Sequence, residues 1–345
     1  MRKVLVTGGA GFIGSHLCEA LLRRGDDVWV MDDLSTGRVQ NIAHLANRKT
    51  FHFIEGTILD SESLHPLVRQ VDIVFHLAAA VGVQKIIAAP VDTVEINILG
   101  SLNVLNLAAR YRKLCLVAST SEVYGKSTKY PFNEDDDVVY GPTSKNRWSY
   151  ACSKAIDEFL GLAYHGTQDL PVVIARLFNT IGPRQTGRYG MVLPRFVDQA
   201  LRGEPITVFG DGRQTRCFAD VSDVVRALLL LVDNPGAIGQ VFNVGNPEEV
   251  AIADLARLVK KLAGSNSEIC FIPYDEAYQP GFEDMQRRIP SIAKIHRLVG
   301  YQPKLKLRES ITRVIENRRA ELTEPVTLPV TTVLPSPSLR AAVGE

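Results

Sequence analysis

A glycine-rich turn between a short apolar strand and a helix is the feature that most constrains the fold of this chain. Residues 3–7 have a strand pattern, helical periodicity begins at residue 13, and between them lies the run Thr7-Gly8-Gly9-Ala10-Gly11-Phe12-Ile13-Gly14. Its glycines satisfy both G-x-G-x-x-G and G-x-x-G-x-x-G. Glycine permits positive φ, lets the backbone approach a pyrophosphate and lets the helix pack closely, with its N-terminal amides facing the anion. The turn therefore predicts a dinucleotide site.

Strand and helix patterns alternate regularly around this turn. Strands are predicted at 3–7, 27–31, 51–54, 72–76, 114–118 and 172–175, and helices at 13–24, 61–70, 91–110 and 149–166. Strand, helix and strand at this spacing are typical of right-handed βαβ units in a parallel sheet. The expected fold is α/β: a Rossmann doubly wound parallel sheet with a smaller C-terminal α/β domain.

The length and a change of rhythm suggest two domains. A chain of 345 residues is long enough for roughly two domains at about 150 residues each. After Asn179 glycine and proline become frequent, and helices at 192–202 and 220–232 alternate with short strands. We predict a nucleotide-binding domain over 1–178, to which 217–240 returns, and a substrate domain over 179–322. The four prolines within 323–345 predict a disordered tail.

Charge and cysteine content exclude several classes of protein. The 39 Lys and Arg residues against 38 Asp and Glu residues leave a net charge of +1, without the basic excess of proteins that coat nucleic acid or anionic membranes. The five cysteines are widely spaced and form no C-x-x-C pair, which favours reduced thiols over a disulfide scaffold or a metal site. No run resembles a signal peptide or a membrane span. A soluble, cytoplasmic protein that binds neither nucleic acid nor membrane is expected.

Asp32 indicates which dinucleotide is bound. It closes the second predicted strand, 18 residues after Gly14. A carboxylate there accepts hydrogen bonds from an adenosine ribose and repels a 2′-phosphate. NAD is therefore expected rather than NADP, although Asp is also common as an ordinary turn residue.

Two further groups of residues suggest a catalytic site. Tyr150 and Lys154 stand four residues apart on one face of a predicted helix, where the ammonium would draw the pKa of the phenol toward neutrality. Such a Tyr could act as a general base or acid. Residues 119–122, Ser-Thr-Ser-Glu, end the fifth strand, and ligands of open α/β sheets lie beyond the carboxyl ends of strands.

With these motifs in register over about residues 3–320, the chain resembles the extended short-chain dehydrogenase/reductase family of nucleotide-sugar epimerases, dehydratases and decarboxylases. The resemblance implies catalytic roles for Thr120, Tyr150 and Lys154, and a homodimer paired through helices 91–110 and 149–166. It implies cofactor contacts from Gly8, Gly11, Phe12, Ile13, Gly14, Asp32, Ile58, Leu77, Ala78 and Ala79, together with Tyr150 and Lys154.

The resemblance also implies a site for a nucleotide sugar, with a UDP-sugar as the expected substrate. The segment Arg176-Leu177-Phe178-Asn179 and the turn 182–184 match the family's substrate-contacting region, and Asn97 matches one of its helix positions. Arg216 and Asp220 fall where relatives hold the diphosphate and ribose. The chain departs from many members at Thr57, where they have an Asp that contacts the adenine. Expected substrate contacts are Ser121, Asn179, Arg188, Arg216 and Arg288.

The residues near Tyr150 favour one chemistry within this family. Members oxidise the sugar at C4 through NAD and so create a reactive 4-ketone. Ser121 is neither the acid of a 4,6-dehydratase nor the cysteine of the apiose-forming branch. Thr120-Ser121-Glu122 and the segment 287–292 resemble UDP-glucuronate decarboxylases, which form UDP-xylose. By this resemblance Arg288 would position the substrate carboxylate or help protonate C5, and Glu122 would order the site.

Two alternatives remain open. Residues 81–85, Val-Gly-Val-Gln-Lys, are closer to UDP-sugar 4-epimerases acting on UDP-glucose or UDP-glucuronate, although simple 4-epimerases usually lack an acid at position 122. A non-catalytic NAD-binding regulator could share the same fold. Such regulators generally lose the Tyr or the Lys, and both are present here.

Overall fold

The computed structural model describes residues 1–82, 89–187, 191–277, 285 and 287–323. The strands of this part are β1 (Lys3–Thr7), β2 (Asp27–Asp32), β3 (Phe51–Glu55), β4 (Ile73–His76), β5 (Leu114–Thr120), β6 (Val172–Leu177), β7 (Thr180–Ile181), β8 (Ile206–Phe209), β9 (Thr215–Cys217), β10 (Ala219–Asp220), β11 (Gln240–Val244), β12 (Glu249–Ala251) and β13 (Ile269–Ile272).

The α-helices of the same part are α1 (Phe12–Arg23), α2 (Ser61–Gln70), α3 (Pro90–Glu95), α4 (Ser101–Arg110), α5 (Arg147–Gln168), α6 (Val192–Arg202), α7 (Val221–Val232), α8 (Ile252–Ala263), α9 (Tyr274–Ala277), α10 (Ala293–Val299) and α11 (Leu307–Thr323). One π-helical turn, Ile96–Gly100, joins α3 to α4. None of these helices combines the length and the apolar composition that a membrane crossing needs.

A seven-stranded parallel sheet forms the centre of the fold. Its strand order is β11-β6-β5-β4-β1-β2-β3, and β1 pairs with both β2 (Val4 opposite Val28) and β4 (Val4 opposite Ile73). The order of the strands reverses between β1 and β4, so a crevice opens there beyond the carboxyl ends of the strands. The predicted Rossmann-type fold class is confirmed.

Helices cover both faces of this sheet. On one face, α1 and α7 pack against the strands through fully buried side chains such as Leu17 and Leu228. On the other, α2, α4 and α5 cover a second core that includes Leu64 and Val104. Burial of each such side chain stabilises the fold by about 1.5–3 kcal/mol. Both layers thus fix the strand ends that carry the candidate site.

The C-terminal part adds a smaller α/β layer. Strand β8 pairs in parallel with β13, β9 pairs antiparallel with β12, and α6, α8 and α11 share a core that includes Phe196, Leu255 and Ile311. Helix α7 packs on α1, and β11 joins β6 in the main sheet (Phe242 opposite Ala175). The domain limits 1–178, 217–240 and 179–322 stay a prediction, and nearly all of the predicted tail lies outside the described residues.

Candidate active site

A cavity of about 480 Å³ opens at the carboxyl ends of the parallel strands. Residues of the glycine turn, the end of β5, helix α5 and the C-terminal layer share its wall. Among the residues predicted from sequence, the wall contains Gly8, Gly11, Phe12, Ile13, Gly14, Asp32, Ile58, Leu77, Ala78, Ala79, Thr120, Ser121, Glu122, Tyr150, Lys154, Asn179, Arg216 and Arg288. Arg188 and residues 83–88 lie outside the described part of the chain.

The glycine turn leaves backbone, not side chains, at the cavity. Gly8 has φ +74°, and a Cβ added to it would lie 2.8 Å from the amide nitrogen of Ala78. A Cβ on Gly14 would lie 2.2 Å from the carbonyl oxygen of Gly8. Only glycine fits at these positions, and the amides at the start of α1 face the space that remains. The turn therefore fits a dinucleotide pyrophosphate.

Asp32 lies at the end of β2 beside this turn. Its carboxylate accepts N–H groups of Ala10 at 2.9 Å and Leu34 at 2.8 Å. Burial raises the pKa of Asp32, and these backbone hydrogen bonds oppose the rise. Arg38, six residues further on, also lines the cavity and donates to the hydroxyl of Thr186 at 3.3 Å.

Tyr150 lies deep in the cavity, joined to Thr120 by a hydrogen bond. Burial raises the pKa of the Tyr150 phenol, the carboxylates of Glu122 and Asp157 raise it further, and Thr120 and Arg288 oppose the rise. The expected shift toward neutrality through Lys154 is therefore not what the structure shows. The main physical reason is burial, which disfavours the charged phenolate, and the carboxylates of Glu122 and Asp157 add to it. In addition, Lys154 Nζ lies 2.6 Å from Asp157 Oδ2, so the ammonium charge is offset.

Next to Tyr150, one carboxylate contacts two guanidinium groups. Glu122 Oε2 lies 2.9 Å from Arg147 Nη1, and Glu122 Oε1 lies 2.8 Å from Arg288 Nη2. Burial raises the pKa of Glu122, but the charges of Arg288 and Arg147 outweigh it and lower that pKa to about 2. We call Glu122, Arg147 and Arg288 the carboxylate-binding cluster because its two guanidinium groups bind one carboxylate and leave a net charge of +1.

Two different parts of the fold hold the arginines of this cluster. Arg147 is the first residue of α5, three positions before Tyr150. Arg288 follows a path fixed by backbone hydrogen bonds, because Phe132 N donates to Ile289 O and Ser291 N donates to Phe132 O, both at 2.8 Å. Sequence reasoning missed Arg147, although its spacing from Tyr150 places both side chains on one helix face.

Asn179 and Arg216, which the resemblance predicts as substrate contacts, also line the cavity. Asn179 donates to Cys217 O at 3.3 Å, and Arg216, in β9, donates to the carbonyl oxygen of Thr215 at 2.8 Å. The guanidinium of Arg195 lies 3.8 Å from the centroid of the Phe209 ring, and both line the cavity. Sequence reasoning did not single out this stacked pair.

Arg176 and Asp220, which the resemblance placed near the ligand, and Asn97, which matches a helix position of the family, all have partners within the protein. The buried guanidinium of Arg176 is paired with Glu158 at 2.7 Å and is absent from the cavity wall formed by the described residues. Asp220 caps α7 and is paired with Arg313 at 2.8 Å. Asn97 accepts the N–H of Ala80 at 2.8 Å and thereby holds the segment after β4. The partners Glu158, Arg313 and Ala80 lie far from these residues in the sequence, so local sequence patterns do not predict the contacts.

Comparison with known proteins identifies the family of this fold and site. Residues 4–245 match the model of the NAD dependent epimerase/dehydratase family. A solved UDP-glucuronic acid 4-epimerase from Bacillus cereus, in complex with UDP-glucuronic acid and NAD, is similar with a TM-score of 0.83 and 30% identity, covering 92% of this chain and 99% of that one.

Two relatives are named as decarboxylases. A UDP-N-acetyl-alpha-D-glucosaminuronate decarboxylase of Bacillus cytotoxicus is 42% identical over 316 residues, which are 91% of this chain and 97% of that protein. UDP-glucuronic acid decarboxylase 1 of Xenopus tropicalis is 38% identical over 321 residues, or 93% of this chain and 73% of that protein.

Proposed function

Because the chain belongs to the NAD dependent epimerase/dehydratase family, we propose that it decarboxylates UDP-glucuronate to UDP-xylose through a transient 4-keto sugar. The observation that carries the proposal is the carboxylate-binding cluster beside Tyr150. The single charge of Glu122 offsets only one of its two guanidinium partners, so the cluster keeps a net positive charge that favours a sugar with a carboxylate.

The first step is oxidation of the sugar at C4, in which Tyr150 would act as the base. NAD, when bound at the glycine turn and Asp32, supplies the acceptor for the C4 hydrogen and its electron pair, and returns them at the end. Tyr150 removes the proton of the sugar 4-hydroxyl, and the Thr120 hydroxyl orients the phenol. The product of this step is a 4-ketone.

The second step uses the cluster. In the 4-keto sugar the C6 carboxylate is attached at C5, β to the new carbonyl. When the C5–C6 bond breaks, its electron pair moves into the carbonyl as an enolate and carbon dioxide leaves. Arg147 and Arg288 would hold the carboxylate in line for this cleavage, with Glu122 fixing both guanidinium groups. A proton from solvent adds at C5 of the enolate, and reduction at C4, with Tyr150 returning its proton to the C4 oxygen, completes the pentose.

A 4-epimerase is the second candidate. The 30% identity to a UDP-glucuronic acid 4-epimerase supports it, because such an enzyme also receives a carboxylated sugar but keeps its C5–C6 bond. A non-catalytic regulator is less well supported. Thr120, Tyr150 and Lys154 all line the cavity, which supports a catalytic role over a regulatory one.

The test is the product formed from UDP-glucuronate by the purified protein, followed by NMR with trapping of carbon dioxide. A UDP-pentose with stoichiometric carbon dioxide supports the proposal, and UDP-galacturonate establishes the epimerase instead. No turnover despite bound NAD would identify a regulator. UDP-N-acetylglucosaminuronate should be assayed beside it, because the relative at 42% identity is named for that sugar.

We also propose a cytoplasmic homodimer. Large apolar side chains stand exposed on neighbouring helices, with Val91 on α3 at 64% and Phe159 on α5 at 70% exposure. A second copy of the same face would cover them, and the five free cysteines suit a reducing compartment. Light scattering of Phe159→Glu should show a monomer where the unaltered protein is a dimer.

A further inference from the structure

Lys154 is held by a buried carboxylate that the proposed mechanism does not use. Its ammonium lies 2.6 Å from Asp157 Oδ2, one turn further along α5. Lys154 is 2% exposed and Asp157 is fully buried. At this distance and burial the carboxylate fixes the position of the ammonium and offsets the electrostatic effect of its charge on neighbouring groups.

A chain of hydrogen bonds leads from β1 to this carboxylate. Thr7 Oγ1 lies 2.9 Å from His76 Nδ1, and His76 Nε2 lies 2.9 Å from Ser101 Oγ. The Ser101 hydroxyl is in turn hydrogen-bonded to Asp157. All five side chains, including Lys154, belong to the buried interior.

The donors and acceptors of this series of hydrogen bonds run in a defined direction. Burial, helped by the charge of Lys154, lowers the pKa of His76 to about 3, so the imidazole is neutral at working pH and has one donor and one acceptor. Burial raises the pKa of Asp157, and the Lys154 ammonium and the Ser101 hydroxyl oppose the rise by stabilising the ionised carboxylate. The ionised carboxylate can only accept, so Ser101 donates to it and accepts from His76 Nε2–H. His76 Nδ1 then accepts from Thr7. Every member therefore donates toward Asp157, which stabilises its negative charge.

From this arrangement we propose that Asp157 is a positioning residue, which holds the Lys154 ammonium, offsets its charge and so controls how readily Tyr150 gives up its proton. Besides Asp157, the charged groups that act on Tyr150 are Glu122 and Arg288. Lys154 and Glu158 act on Asp157, and His76 faces Lys154 as a neutral ring. The charge of Asp157 raises the pKa of the Tyr150 phenol, so removing that charge should lower this pKa, and it also removes the 2.6 Å ion pair of Lys154.

The experiment is a tyrosinate titration by ultraviolet absorbance, with each variant referenced to the same variant carrying Tyr150→Phe. Asp157→Asn keeps an oxygen acceptor for Ser101 but lacks the charge. It should move the titration of Tyr150, and the acidic limb of the activity profile, to lower pH by about one unit. Asp157→Glu restores the charge and should stay within a few tenths of the unaltered enzyme.

Equal shifts for the two variants, or no shift for Asp157→Asn, would overturn the proposal. A second measurement uses the unaltered enzyme and so does not depend on whether a variant folds. In this measurement ¹⁵N NMR should find His76 protonated at Nε2 at neutral pH. Protonation at Nδ1 would mean that the hydrogen bonds do not donate toward Asp157, and this result would also overturn the proposal. The inference rests on the proposed role of Tyr150, but neither spectroscopic readout needs a substrate, so a different product from UDP-glucuronate leaves this test intact.

Discussion

One carboxylate oxygen of Glu122 lies 2.8 Å from the guanidinium of Arg288. This contact joins the end of β5 to a segment near the C-terminus, and both side chains are largely buried at the wall of the cavity. The contact places a fixed positive group near Tyr150, the proposed base in the oxidation of the sugar. Its consequences for turnover, recognition and stability can be measured separately.

Arg288→Met should slow decarboxylation of UDP-glucuronate by at least about 100-fold in kcat, because loss of one preorganised charge donor costs about 2.7 kcal/mol or more. The assay is release of carbon dioxide under saturating substrate. Arg287→Met is the matched control, since the neighbouring side chain is half exposed and contacts Glu249. Similar losses in both variants would contradict a specific role for Arg288.

Arg147→Gln should reduce affinity for UDP-glucuronate about 10- to 100-fold, which corresponds to about 1.4–2.8 kcal/mol. Affinity for UDP-glucose, which has no carboxylate, should change little. Calorimetric titration with both nucleotide sugars provides the comparison. If the two affinities fall together, Arg147 supports the fold of the site and does not recognise the carboxylate.

Tyr150→Phe should retain bound NAD and lose about 10²- to 10⁴-fold in turnover, because the phenol hydroxyl is the proposed proton acceptor. Cofactor content is measured after denaturation, and turnover by chromatography of the product. Substantial remaining activity would show that another group removes the 4-hydroxyl proton. A melting temperature close to that of the unaltered enzyme excludes a folding defect.

Glu122 should make folding stability depend on pH in the acid range. Its pKa in the folded protein is lowered from 4.5 to about 2, so the stabilisation is complete above about pH 4.5 and is lost as pH falls toward 2. Glu122→Gln should therefore destabilise the protein by about 3–5 kcal/mol near neutrality and flatten its dependence on acid. Urea unfolding at several pH values measures both effects, and parallel curves for the two proteins would refute this prediction.

The parts of the site that follow a local pattern could be predicted from the sequence. The glycine turn, Asp32 and the residues at the end of β5 line the cavity as expected because strand ends and turns fix their positions. Arg147 and Asp157 were not predicted. Their partners are set by tertiary contacts, and a guanidinium or carboxylate on a helix is usually solvated.

Arg176 is the converse case: the sequence motif predicted a contact with the ligand, and a tertiary contact that the motif does not reveal binds its side chain. The partner is Glu158 on α5, which lies 2.7 Å from the guanidinium. The pKa of Tyr150 is a further example, since its direction depends on burial and on the charges of Glu122 and Asp157, none of which the i, i+4 spacing to Lys154 reveals.

Helix α5 also limits which changes in length the chain can tolerate. Its inner side carries Arg147, Tyr150 and Lys154, while Phe159 stands exposed on its outer side. One residue inserted between Tyr150 and Lys154 would rotate everything after it by about 100°. The ammonium would then leave the cavity, and the ring of Phe159 would turn away from its present outer position. Among homologous chains, insertions and deletions should therefore accumulate in the loops around this helix and be absent from positions 147–159.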